Sequence, residues 1–156
     1  MTEQKFPTEI VDLPSKGHFY PEDNPLSSGK IELRYMTARD EDILTSVNLI
    51  EQGKALDKLL QALIVDKDID YNDLLVGDKN AILIAARILG YGSEYTFEYK
   101  EQEVTIDLSE IEDREFDSSL ITNKDNPNEF EYTLPFSKKV LTFKILNHGD
   151  EQKLDK

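Results

Sequence analysis

The sequence has no cysteine, two histidines, seven glycines and six prolines among 156 residues. Without cysteine there can be no disulfide, thiolate zinc site or cysteine nucleophile, and the composition fits a reducing cytoplasm. The histidines, His18 and His148, stand in unlike contexts, and neither has a His or Glu neighbour at helical metal-ligand spacing; each is expected in a loop. No Gly-x-Ser-x-Gly elbow is present to present a serine nucleophile. Basic residues are also scarce, 18 against 32 acidic, giving a net charge of -14. That charge repels nucleic acid backbones and anionic membrane surfaces, so neither is an expected partner. It keeps the chain soluble and favours protein partners with basic surfaces. The start, Met1 to Pro7, lacks the apolar run of a signal peptide, and no later stretch is long enough to cross a bilayer.

What is present suffices for one domain with a real core: 38% apolar residues, including seven Phe and seven Tyr. The most uniformly apolar stretch is Asp78 to Gly92. Ile82, Ala85, Ala86 and Leu89 recur there at helical spacing, and Ile84 and Ile88 widen the apolar face. A central, largely buried helix is expected, with Asp78 at its positive end and Gly90 as its left-handed stop.

Elements on either side follow from periodicity and turn chemistry. Glu9 to Leu13 reads as a strand ended by Pro14, and Lys30 to Met36 alternates as a half-buried strand. Thr37 with Asp40 forms a capping box that opens a helix with Ile43, Leu44, Val47 and Ile50 on its apolar face, broken at Gln52-Gly53. A second helix runs from Lys54 to about Val65. Asp70 is placed to cap a short turn of helix reaching Leu75. Tyr95 to Tyr99 and Glu103 to Leu108 read as a hairpin joined by Lys100-Glu101-Gln102, and Phe130 to Leu134 with Lys139 to Leu146 as another. Ser109 to Asp125 is acidic and weakly patterned, a loop with some helical turn.

An internal echo also stands out. Leu33 to Thr37 followed by Asp40-Glu41 aligns with Phe143 to Asn147 followed by Asp150-Glu151, and Leu13-Pro14 aligns with Leu134-Pro135. Each unit reads strand, proline turn, strand, capped helix start. The second stops soon after its helix begins, by truncation or by fraying of the C-terminus.

Sites for chemistry are few. Asp66, Asp68, Asp70 and Asn72 alternate like the opening of a calcium loop, but Tyr71 stands at the glycine position and Gly77 at the closing glutamate. A small metal-dependent hydrolase or calcium-binding protein using the 66–73 connector is therefore the alternative reading. Ser28-Gly29-Lys30 lacks the upstream glycine of a phosphate loop, and Gly90-Tyr91-Gly92 follows a helix instead of preceding one. No cofactor is expected. The loop from Pro14 to Pro21 carries Phe19 and Tyr20 between prolines. It reads either as a stiff aromatic projection that anchors an interface or as rings folded back over the core.

The run Leu13-Pro14-Ser15-Lys16-Gly17-x-Phe19-Tyr20-Pro21, then Leu26 to Lys30 and Arg34-Tyr35-Met36-Thr37-Ala38-x-Asp40-Glu41-Asp42-Ile43-Leu44, resembles the baseplate hub assembly proteins of T-even-like contractile-tailed bacteriophages. Gly77 to Asn80 and Ala85 to Gly92 continue the likeness over roughly the first two thirds of the chain. The resemblance implies a structural or chaperone-like assembly protein without catalytic residues, acting through other hub or tail proteins. Its setting would be the host cytoplasm during assembly and the virion tail or baseplate. Similar proteins carry cysteine pairs near the position of Lys100; with none here, no metal carries over. Interface candidates are Pro14, Ser15, Gly17, Phe19, Tyr20 and Pro21 in the loop, with Arg34 and Tyr35. The expected fold is α+β, a central bundle of about three helices flanked by antiparallel β-hairpins. Its segments are 1–36, 37–92 and 93–156, together one compact unit; the oligomeric state is open.

Overall fold

The structure, a computed structural model, describes residues 6–154. The fold is α+β: three two-stranded antiparallel pairs and five α-helices among the described residues. It divides into two compact units, each gathered from three stretches of chain.

Among the described residues the first unit comprises 6–11, 31–67 and 80–113. β1 (Thr8–Asp12) pairs with β2 (Lys30–Arg34), with Asp12 and Lys30, at the far end of the pair, counted in the second unit. The alternation of β2 turns Ile31 and Leu33 into the core and leaves Lys30 and Glu32 in solvent. The helical run expected from Thr37 is two helices, α1 (Ala38–Thr45) and α2 (Val47–Glu51), because Ser46 adopts an extended conformation between them. A serine side chain and its backbone interrupt a short helix easily. Val47 and Ile50 consequently lie exposed, not on a buried face as their spacing suggests. α3 (Ala55–Leu63) buries Leu59, Leu60 and Leu63, and an isolated bridge between Leu33 and Ile64 ties the chain beyond it back to β2.

α4 (Val76–Tyr91) is the expected central helix, with its first four residues in the second unit and the rest in the first. It starts two residues earlier than expected and runs through Gly90. Gly92, at φ 85°, is the left-handed stop, and its amide donates to the Ile88 carbonyl at 2.8 Å. At Gly90 the φ is not left-handed, and a Cβ there would lie 2.8 Å from the movable Met36 methyl. Burial is narrower than the composition suggests. Asp78, Ile82 and Ala86, spaced by four, form the buried stripe, while Ala85 and Ile88 are half-buried. After Gly92, β3 (Glu94–Tyr99) and β4 (Gln102–Asp107) form a hairpin whose two turn residues, Lys100 and Glu101, both have positive φ.

Among the described residues the second unit comprises 12–30, 68–79 and 114–154. Its core is Leu13, Phe19, Tyr20, Leu26, Tyr71, Leu74 and Leu75. Asp70 caps a single 3-10 turn over Tyr71–Asp73 through the Asn72 amide. β5 (Phe130–Thr133) and β6 (Val140–Phe143) pair as a hairpin shorter than expected, and α5 (His148–Leu154) follows. The expected fraying at the very end falls on 155–156, outside the described residues.

The internal echo reappears as local geometry. Arg34 holds Asp40, in the first turn of α1, through two contacts of 2.7 Å, and Lys144 holds Asp150, in the first turn of α5, at 2.7 Å. In both places a cation near the end of a strand neutralises a carboxylate six residues later that also serves the helix N-terminus.

Candidate functional site

The Pro14–Pro21 loop begins where Leu13, fully buried, donates its amide to Gly29. Proline ends the ladder, and the chain winds through successive tight turns: Lys16 N to Leu13 O, His18 N to Ser15 O and Tyr20 N to Gly17 O, at 2.9–3.2 Å. Gly17 sits at φ 79°, and an added Cβ would lie 2.1 Å from the Ser27 carbonyl oxygen. Only glycine permits both the conformation and the approach.

The loop is fastened to the start of α4 by Asp78, 1% exposed. One carboxylate oxygen accepts from the Ser15 amide at 3.0 Å and the other from the Tyr20 hydroxyl at 2.6 Å. The same hydroxyl accepts from the Leu75 amide at 3.0 Å. Burial, reinforced by the Asp78 charge, pushes the Tyr20 phenol well above its ordinary value. Both Asp78 carboxylate oxygens and the Tyr20 hydroxyl are thus paired at this buried junction.

Phe19 faces the other way, its ring edge-on to Phe116 at 4.6 Å and to Phe130 at 5.9 Å, and Phe130 stacks on Phe143 at 5.6 Å. Phe19 and the 114–120 segment also line an open cleft of about 440 Å³, wholly within the second unit. Pro14, Phe19, Leu75, Phe116, Leu120 and Ile145 make it apolar, and Asp78, Arg114, Glu115 and Asp117 bring charge to it. The arrangement is suited to holding an apolar group beside charges.

The eight residues expected at an interface are thus divided. Pro14, Ser15 and Phe19 line the cleft. Gly17 and Tyr20 are buried behind it and shape the loop, and Pro21 is exposed. Of the two readings of the aromatic pair, the structure has both rings folded inward, at 7% and 6% exposure. Arg34 and Tyr35 belong to the first unit. The Arg34 guanidinium holds Asp40, donates to the Ala62 and Tyr35 carbonyls and lies over the Phe6 ring. Its hydrogen bonds to Asp40 keep that carboxyl well below the usual carboxylate range.

His148, expected in a loop, opens α5 and is buried at 3% exposure, against the Tyr71 ring and within 3.3 Å of the Lys79 ammonium. Lys79 also pairs with Glu151. The 66–73 connector, weighed above as a calcium loop, has Asp70 turned to a structural task. Among the described residues no three carboxylates or imidazoles converge as an ion's ligands would, and Asp70 is engaged as a cap. Sequence reasoning missed the cleft wall formed by Phe116 and Leu120. The available signal was two large apolar residues inside an otherwise acidic, unpatterned run.

A family model described as T4 bacteriophage base plate protein matches residues 7–145, a span that includes every residue lining the cleft. No curated protein and no solved structure matches the chain.

Proposed function

Since the chain belongs to the T4 bacteriophage base plate protein family, we propose that it is a non-enzymatic hub component or chaperone-like assembly factor acting through other hub and tail proteins. The family places its members in the tail baseplate; action in the host cytoplasm during assembly is part of our reading. The observation that carries it is the family match over 7–145. The cleft between Phe19, Phe116 and Leu120 supports the reading, because it is mostly apolar and open to a partner's side chain. The net charge of -14 supports partners with basic surfaces. Of the interface candidates, we assign Pro14, Ser15 and Phe19 to this contact.

Co-expression with the other hub and tail proteins of the same virus tests the assignment. A stable complex that is weakened by Leu120→Lys is expected. If no complex forms, and tails assemble normally without this protein, the proposal fails. A protein inventory of purified virions separates a resident subunit from an assembly factor that leaves.

A further inference from the structure

The β5–β6 hairpin ends in a feature the cleft alone does not explain. Phe136 is 97% exposed, the most exposed large apolar side chain among the described residues. It does not sit on a frayed end. Leu134 N donates to Lys139 O at 2.9 Å and Lys138 N to Leu134 O at 3.0 Å, and Pro135 stiffens the same turn. The ring is therefore held out in solvent by a closed turn, which lowers the ordering cost of binding. Lys138 and Lys139 stand beside it.

We infer that the Phe136 tip of one copy docks in the cleft of a second copy. This rests on reading the cleft as a protein-docking site and names its occupant. Three observations converge. The tip is apolar and flanked by two cations, whereas the cleft is apolar and carries Glu115 and Asp117 along with Arg114. A cavity of roughly 150 Å³ holds benzene, so the cleft volume of about 440 Å³ accepts a phenyl ring with part of its turn. Finally, the tip is not docked in its own cleft, since Phe136 is almost wholly exposed. Tyr132, Val140 and Leu141, each about half exposed, extend the apolar surface that such a contact would cover. Tip into cleft is a head-to-tail contact: it closes a ring if the rotation allows and propagates otherwise.

The test is sedimentation velocity on the full chain up to the millimolar range. Wild type should show a mass that rises with concentration. Phe136→Ser, at a position that contributes nothing to the core, should keep the wild-type circular dichroism and weaken association at least about tenfold. The double variant Lys138→Glu, Lys139→Glu should do the same. Leu120→Lys should block the cleft while keeping its own tip. An equimolar mixture of Phe136→Ser and Leu120→Lys should then form a one-to-one complex that grows no further, because one intact tip meets one intact cleft. A monomer at every concentration, wild-type association by Phe136→Ser, or a mixture that stays monomeric would each overturn the inference. If the chain is monomeric yet Leu120→Lys abolishes capture of a hub protein, the docking cleft stands and only its occupant was wrong. If Leu120→Lys changes neither self-association nor capture, the cleft itself is not a docking site.

Discussion

Tyr20 donates its hydroxyl to the Asp78 carboxylate at 2.6 Å, joining residues 58 apart in the chain at a buried point on the wall of the cleft. The hydroxyl is needed twice, because it also accepts from the Leu75 amide. Tyr20→Phe leaves a buried carboxylate oxygen and a buried amide short of a partner, so a loss of about 1–3 kcal/mol is expected by urea denaturation. The pH dependence gives a second readout. The folded phenol titrates above its ordinary value of 10.0. Its contribution is complete below that value and is lost as pH rises above it, while the unfolded chain ionises first. The alkaline decline in stability should be shallower in Tyr20→Phe than in wild type. Equal slopes would remove Tyr20 from the account.

Asp40 has the opposite sign. Its carboxyl is held below the ordinary value of 3.8 by Arg34 first, with help from Thr37. Its contribution is complete above that value and is lost as pH falls below it. Asp40→Asn leaves a half-buried guanidinium without its carboxylate and should cost about 2–3 kcal/mol near neutral pH. The gap from wild type should shrink progressively as pH falls below 3.8, where the unfolded chain takes up the proton first. A gap independent of pH would mean that packing, not charge, holds this corner.

The glycines separate by what surrounds them. Gly17→Ala meets both a left-handed φ and the Ser27 carbonyl, so about 2–4 kcal/mol of destabilisation is expected. Gly53→Ala has the same kind of φ but open space and should cost about 1 kcal/mol. Gly90→Ala has neither strain nor a rigid obstacle, only the end of the Met36 side chain. Its helix-propensity gain of up to about 1 kcal/mol should leave it near neutral or stabilising. Thermal melts of the three variants check the order. A severe loss in Gly90→Ala would restore Gly90 as the helix stop.

That last comparison shows what the sequence could and could not disclose. Helices, hairpins and the caps at Thr37 and Asp70 were legible because they depend on neighbours within a few residues. Gly90 and Gly92 flank one tyrosine, and only backbone φ tells which of them ends α4. Val47 and Ile50 keep helical spacing, yet Ser46 breaks the helix and exposes them. Phe19 was legible as important but not as the inner wall of a cleft, since Phe116 lies in a run without periodicity. His148 looked like a loop residue because its neighbour Lys79 is 69 positions away. Periodicity reports which face is apolar; it is silent on which distant segment covers that face.

The β3–β4 hairpin carries an internal conflict that is measurable. Its register sets Glu98 directly opposite Glu103 and Glu94 opposite Asp107, with Thr96 bonded to Thr105 at 2.8 Å between them. The other face carries Tyr95, Phe97 and Tyr99 against Ile106, Val104 and Gln102. Like charges facing each other across two strands destabilise the pair, and a two-stranded sheet has little stability to spare. Salt should therefore raise the melting temperature of the wild type by screening these pairs. Glu103→Lys replaces a repulsion with an attraction and should raise it by about 1–2 °C at low ionic strength. Because this gain is electrostatic, it should shrink in high salt. Hydrogen exchange at the Phe97 and Val104 amides locates the effect, and slower exchange there in Glu103→Lys is expected. If that exchange is unchanged, or if the variant melts at or below wild type in low salt, the facing carboxylates do not oppose the hairpin.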